Sequence, residues 1–417
     1  MIEYPNKLEI LFDKLKLNGI KIILVGGYVR DKILKIESKD IDIELYGLDS
    51  LDSLEELLDE FGSPNSVGKS FGVVKLNFKG YELDFSLPRK DNKVGVGHKG
   101  FVVITEKNMD FTTAASRRDF TINAMGYDVD ERKFLDPYGG LEDLHKGILR
   151  AVDLKKFDED PLRILRGVGF SARFCLKFEK KLFTHCTNLI ASGVLYELAS
   201  ERIFEELQKM LLKSPKPSLA LLQLQTLGAF HFFSELDSLT QNQFTELLGA
   251  LDRLQSIKTQ NDKENILLAL TLLVERFTEE QMKTFLDRIT KEKTLIKEVK
   301  HYAKLLRKEL SEPLDDAMLY RLAKESELRL FFILCEAKQK FSQESLESYK
   351  KRAKSLNILR KPLPALIRGQ ELINLGLKPS QEFKTILSKA YNAQIEGVFS
   401  SKEEALKWLE SYVSKEK

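Results

Sequence analysis

A change of pattern near residue 150 governs what this chain can become. Before it, short β-rich runs alternate with glycine-containing turns; after it, apolar residues recur at helical spacing. A chain of 417 residues also exceeds one ordinary core. The expectation is therefore an α+β protein, with a small N-terminal sheet domain followed by all-helical modules. Residues 21–25 and 41–45 read as strands, 28–34 as a short helix, and 73–78 with 81–85 as a hairpin closed at Lys79-Gly80. Residues 86–100 carry Arg89, Lys90, Lys93, Lys99 and glycines at 95, 97 and 100, a composition that predicts a mobile basic loop. In the second half, Ile266, Leu267, Leu270, Leu273, Val274 and Phe277 trace one helical face, and Thr278 with Gln281 predicts a capping box. No repeat of fixed period appears.

Composition excludes several classes. There is no apolar run of membrane-spanning length and no basic-then-apolar start, so the cytoplasm is the expected location and no membrane partner is expected. Cys175, Cys186 and Cys335 are odd in number and lack CxxC spacing, which predicts buried free thiols rather than disulfides or zinc. Lys+Arg exceeds Asp+Glu only 66 to 63, so any nucleic-acid surface must be local.

Asp40-Ile41-Asp42 supplies the first chemistry. On a strand, alternate side chains share a face, so both carboxylates project together while Ile41, Ile43 and Leu45 anchor the other side. Such a pair suits Mg²⁺, and two ions roughly 3.5–4 Å apart can serve an in-line phosphoryl displacement. Asp84 or Glu82 on the neighbouring strand could complete the cluster, with Asp84 preferred as metal ligand. An Asp-X-Asp pattern standing alone is more often a solvated strand face than a metal site. Here it follows Gly26-Gly27, a strand-to-helix turn whose bare N–H groups and positive helix end suit a triphosphate, with Arg30 one turn in. A dinucleotide fold would need GxGxxG, which GGYVRD lacks.

Five ordered motifs, GGYVRD at 26–31, DID at 40–42, RRDFTINAM at 117–125, LDPYGGLEDL at 135–144 and EDPLRILRG at 159–167, resemble those of the class II tRNA nucleotidyltransferase and bacterial poly(A) polymerase family. The resemblance extends over residues 20 to about 236, with a tail-like segment at 369–408. It implies a polymerase β-like nucleotidyltransferase head over 1–147, a helical neck with base recognition over 148–236, and a helical body and tail binding tRNA over 237–417. It makes Asp40 and Asp42 catalytic metal ligands and sets Gly26, Gly27 and Arg30 at the triphosphate. Arg118 and Asp119 would contact the nucleotide's phosphate or ribose. Asp160 and Arg163 would act as a protein template for the incoming base, with Asp160 accepting from the amino group shared by C and A. Arg166 would reach a phosphate or orient the template pair; taken apart from the upstream motifs an ordinary helix ion pair to Asp160 or Glu159 is the plainer reading, and with them the template role is favoured. Gly169 stands where many relatives carry another arginine. No HD dipeptide marks a phosphohydrolase domain, and among the scattered histidines only His98 merits a test.

The implied activity is Mg²⁺-dependent addition of C, C and A from CTP and ATP to the 3′ end of tRNA, without a nucleic-acid template. The rivals are an A-adding tRNA nucleotidyltransferase, a poly(A) polymerase and a non-catalytic RNA-binding protein. The long segment before RRDFTINAM favours full CCA addition, and the absence of a long basic extension argues against a polymerase acting on generic RNA. Lys297, Lys300, Lys304 and Lys308 form one basic stripe, and Lys350, Lys351, Arg352 and Lys354 a second cluster; either could be a solvated face.

Overall fold

The computed structural model describes residues 2–48, 50, 52–65, 72–93, 101–105 and 109–416. The chain is α+β. Its contacts divide it into two units, Met1–Ser238 with Arg288–Lys291, and Leu239–Asp287 with Glu292–Lys417.

The first unit opens with α1 (Glu9–Leu17), β1 (Lys21–Val25), α2 (Gly26–Ile33), β2 (Asp40–Tyr46) and α3 (Asp52–Leu58). The hairpin β3 (Val73–Phe78) and β4 (Tyr81–Ser86) comes next, and then β5 (Arg89–Lys93), β6 (Phe101–Thr105), α4 (Phe111–Ala115), β7 (Gly126–Asp128) and β8 (Lys133–Leu135). Six strands form one mixed sheet in the order β3-β4-β2-β1-β7-β8, with β2 and β4 parallel and the other neighbours antiparallel. Ile41, Ile43 and Leu45 are fully buried on one face, as period-two patterning requires. On the other face Ile23, Val25 and Tyr46 form a small cluster roofed by Phe111 and Leu135. Phe111 sits where a side chain on Gly126 would project, 2.6 Å from that Cβ position, so a glycine there lets α4 lie down on the sheet.

The expected loop over 86–100 is corrected at its start. Arg89–Lys93 is a strand, antiparallel to Phe101–Thr105 with Arg89 opposite Thr105 and Lys93 opposite Phe101. Polar composition hides such a strand, which shows itself only in its backbone pairing with residues 101–105. Residues 94–100, His98 among them, lie outside the described residues.

The LDPYGGLEDL motif is structural. Asp136 accepts from the Gly140 and Leu141 N–H groups (2.7 and 3.0 Å) and so caps α5 (Gly140–Lys146). A Cβ on Gly140 would stand 2.2 Å from the Thr121 carbonyl oxygen, so only glycine allows α5 to approach the 121–123 turn. Thr121 Oγ1 donates to Asp143 in the same seam (2.7 Å). Beyond it lie β9 (Ile148–Leu149), α6 (Leu154–Phe157), α7 (Leu162–Phe174), β10 (Lys177–Phe178), α8 (Lys180–Ala191) and α9 (Ser200–Lys213).

The second unit is helical throughout its described residues. The helix Asp262–Val274 is buried from Asn265 onward, and the Thr278–Gln281 capping box forms as expected (2.8 and 3.2 Å). A terminal cluster around Leu372, Ala405 and Leu409 carries a stacked Trp408–Tyr412 pair. Lys304 pairs with Glu279, Lys308 with Glu325, Lys350 with Glu336 and Arg352 with Asp316, so these members of the two basic groups are ion-paired. All three cysteines are free; Cys186 and Cys335 are buried as expected, but Cys175 is exposed, because the chain leaves α7 there in a left-handed turn. No described helix is long and apolar enough to cross a membrane.

Candidate active site

The period of β2 carries the site. Asp40, Asp42, Glu44 and Tyr46 share one face: Asp40 and Asp42 are exposed, whereas Glu44 and Tyr46 are buried. Parallel pairing sets Asp42 opposite Asp84 and Asp40 opposite Glu82, so the four carboxylates lie on one face of two adjacent strands. Asp84 itself is held by Lys75 Nζ at 2.6 Å. Among the described residues no three His, Cys, Asp or Glu side chains converge as a metal-binding group.

Asp42 lies at the head of α2. Gly26 has φ +67°, and a Cβ there would meet Arg118 Nη1 at 2.8 Å and Asp42 Oδ2 at 3.1 Å. Enclosure by surrounding protein raises the Asp42 carboxyl above its ordinary range despite its exposed outer face. Asp84 adds to that rise, while Arg118, the Gly27 N–H and Arg30 oppose it. A carboxylate so placed, with a second carboxylate two residues back, fits a hard divalent cation that restores its charge; of the first N–H groups of α2, Gly26 donates to the Met125 carbonyl (3.3 Å) and Gly27 to Asp42 itself. Gly26→Ala is expected to displace Arg118 and weaken binding of inorganic triphosphate about tenfold, since the left-handed backbone costs about 1–2 kcal/mol and the cradle is filled. Titration of the two proteins with inorganic triphosphate checks this, and an unchanged affinity would contradict the cradle.

Gly27, Arg30, Asp42, Arg118, Asp119, Asp160, Arg163 and Arg166 line one cavity of about 560 Å³. Asp40 is not among its lining residues, and Asp84 borders a smaller cavity of about 210 Å³ that shares Asp42 and Arg118. The large cavity is strongly basic: among its described lining residues, ten arginines and lysines face four carboxylates, an excess suited to a triphosphate.

Not every cation is equally available. Arg30 is 4% exposed, donates through Nε and Nη2 to Asp31 (2.8 and 2.6 Å) and through Nη1 to Asn123 (2.5 Å), and stacks over Phe174. Asp119 accepts from the Phe120 N–H, from Asn123 Nδ2 and from Arg166 Nε (2.9, 3.0 and 2.7 Å). Burial alone would push its carboxyl up, but Arg166, Asn123 and Arg163 reverse that and hold it below the usual carboxylate range. Arg118 differs: it lines the cavity, and its buried Nε has no hydrogen-bond partner among the described residues.

Asp160 and Arg163 are held ready by other groups. Arg202 of α9 forks onto both Asp160 oxygens (3.1 and 2.8 Å), and Leu162 N–H donates to Oδ1 (3.2 Å). Arg163 donates to the carbonyls of Lys156 and Arg117 (2.8 and 2.9 Å). Gly169 lines the same cavity, and a Cβ on it would make only ordinary contact with Met210. The cavity also contains Arg117, Asn123, Arg173, Arg202, Lys209 and Lys213, which motif reading passed over. Arg117 and Asn123 lie inside RRDFTINAM. Arg202, Lys209 and Lys213 recur at helical spacing along α9, a legible signal.

Residues 22–150 match the family of the poly A polymerase head domain, 176–239 that of the RNA- and SrmB-binding region of polymerase A, and 258–409 that of tRNA nucleotidyltransferase domain 2. A multifunctional CCA protein of Pseudoalteromonas atlantica is 36% identical over 224 residues, 53% of this chain and 53% of its own length. One from Neisseria gonorrhoeae is 37% identical over 201 residues, 48% and 47% of the two chains. The chain thus matches about half the length of these curated relatives. Among solved structures, a CCA-adding enzyme in an apo form superposes with a TM-score of 0.73 at 23% identity, covering 99% of this chain and 97% of the other. The Thermotoga maritima CCA-adding enzyme complexed with tRNA gives 0.67 at 23% identity over the same shares. At that identity the likeness is one of fold.

Proposed function

We propose that this chain, which belongs to the family of tRNA nucleotidyltransferases and bacterial poly(A) polymerases, adds C, C and A from CTP and ATP to the 3′ end of tRNA without a template. Residues 1–147 form the catalytic head, 148–236 the neck that reads the base, and 237–417 the body and tail that hold tRNA, acting in the cytoplasm. The observation that carries this reading is the single cavity in which Asp42, the head of α2 and the pair Asp160 and Arg163 meet. A phosphate-transfer centre and a hydrogen-bonding base reader in one basic cleft suit a nucleotide chosen by protein rather than by a template strand.

Asp40 and Asp42 would hold Mg²⁺, with Asp84 a further ligand once released from Lys75. Bound there, the metal supplies activation of the attacking hydroxyl and neutralisation of charge on the phosphates. The chain's own residues do the rest. The Gly26-Gly27 backbone at the head of α2 would shape the seat of the triphosphate, its Gly26 N–H donating to the Met125 carbonyl (3.3 Å) and its Gly27 N–H to Asp42, and the Arg118 guanidinium would orient the phosphates, with Arg30 bracing the helix beneath. Asp119 fixes Arg166 at the cavity wall. The tRNA 3′ oxygen forms a bond to the α-phosphorus as the bond to pyrophosphate breaks, so alignment of the two substrates supplies much of the rate. Asp160 accepts from the amino group of C or A, while Arg163 donates to ring acceptors.

The test gives purified protein and Mg²⁺ tRNAs ending at the discriminator base, at C and at CC, with CTP and ATP singly and together. Extension of all three to CCA is expected. Extension of the CC-ended tRNA alone would make the protein an A-adding enzyme, and long A tails a poly(A) polymerase.

A further inference from the structure

Glu44 lies beyond the carboxylates assigned above, yet it continues their row on β2. It is fully buried, with none of its surface exposed. Arg117 Nη2 and Arg118 Nη2 both donate to its Oε1, at 3.1 and 3.3 Å, and Tyr46 Oη donates to Oε2 at 3.0 Å. The arginines arrive from 73 and 74 residues away, carried over the sheet by the short helix α4. Both line the cleft.

Arg118 has a second carboxylate within reach. Its Nη1 and Asp42 Oδ2 lie 2.8 and 3.1 Å from one point, the Cβ position of Gly26. Its ion pair nevertheless goes to Glu44. Two carboxylates on one strand face therefore compete for one guanidinium, and the buried one holds it. Burial favours that outcome, because an unpaired charge is far costlier inside the protein than at the cleft.

We propose that Glu44 is a positioning residue that holds Arg118 back from Asp42, keeping the Asp42 carboxylate open to a divalent cation and the outer edge of Arg118 open to a phosphate. The inference rests on the nucleotidyltransferase reading of the site. Without the Glu44 charge, Arg118 swings onto Asp42, and a guanidinium takes the position the cation requires. Tyr46 completes the arrangement by fixing Oε2, so that Oε1 faces the two arginines. Since Arg117 shares Oε1, the pair of guanidinium groups keeps a net positive charge toward the cleft even while Glu44 anchors it.

The experiment measures Mn²⁺ binding to the full chain by electron paramagnetic resonance, without nucleotide or tRNA, for the wild type, Asp42→Asn, Glu44→Gln, and Glu44→Gln combined with Arg118→Gln. Glu44→Gln is expected to weaken Mn²⁺ binding about tenfold, the size of effect an added neighbouring cation has on a carboxylate. Removing Arg118 as well is expected to bring binding back to within about twofold of wild type, while the KM for CTP stays raised. A merely structural Glu44 would not be rescued by deleting a second charge. Unchanged binding in Glu44→Gln, or a double variant as weak as the single, overturns the proposal while leaving the nucleotidyltransferase reading in place. Binding that Asp42→Asn does not affect overturns both. Should Glu44→Gln fail to fold, Glu44→Asp keeps the charge but withdraws it by one methylene, and the same weakening is expected in smaller measure; its absence is equally decisive.

Discussion

Asp42→Ala is expected to lower nucleotide addition by about 10⁴-fold, or about 5.5 kcal/mol of transition-state stabilisation, while the protein stays folded. Asp42 stands at the head of α2, between the large cavity and the smaller one that Asp84 borders. Among the described residues lining the cleft, no other combines a cation-binding oxygen with that position. The fold does not depend on it. Its carboxyl is raised above the usual range by enclosure and by Asp84, so the ionised form is less favourable in the folded chain than in the unfolded one. A raised carboxylate of this kind opposes folding at pH values above its folded-state pKa and ceases to do so below the ordinary carboxylate value. Removing it at neutral pH should leave the melting temperature unchanged or higher. Single-turnover incorporation of labelled CTP and a thermal melt together check the claim. A variant retaining more than a tenth of the wild-type rate would remove Asp42 from the chemistry, and a lower melting temperature would contradict the assignment of its charge as a strain on the fold.

The parts of this site visible in the sequence are those set by local period and local turn chemistry. Alternation along residues 40–46 separates Ile41, Ile43 and Leu45 from the acidic face, and the same alternation carries on to Glu44 and Tyr46. The row is readable to its end, but the meaning of Glu44 is not, because a buried carboxylate declares itself through its charged partners and these lie more than 70 residues away. Arg30 shows the reverse limit. The GGYVRD turn places it one turn into α2, yet only the fold reveals that Asp31 and Asn123 engage much of its guanidinium. Asp119 likewise reads as a nucleotide ligand in its motif and proves to be bound by Asn123 and Arg166. The strand at Arg89–Lys93 is hidden in the sequence for a similar reason: its own composition is polar, and its partner lies at residues 101–105. Local chemistry thus names the groups of the site, and long-range pairing decides which of them are free to act.

The same division of labour predicts how base choice fails. Arg202 occupies both Asp160 oxygens and the Leu162 N–H adds a second donor to Oδ1, so Oδ2 is the oxygen with acceptor capacity to spare. That fixed lone pair meets the exocyclic amine of C or A and repels the carbonyl that U or G presents in its place. Arg163, pinned by two backbone carbonyls, keeps N–H groups for the ring acceptors. Asp160→Ala should therefore lower discrimination against UTP and GTP from about 10⁴-fold to about 10²-fold, the difference between a hydrogen-bonding and a shape-only site. Asp160→Asn should go further. Arg202 draws the amide oxygen toward itself, which turns the NH₂ group to the base, so a carbonyl edge now finds a donor and UTP gains on CTP. Competition among the four nucleotides for one tRNA end, read by product sequence, measures both effects. If Asp160 served only to brace α9 through Arg202, both variants would slow all four nucleotides by the same factor and leave their ratios untouched, and the amide could not reverse the order of C and U.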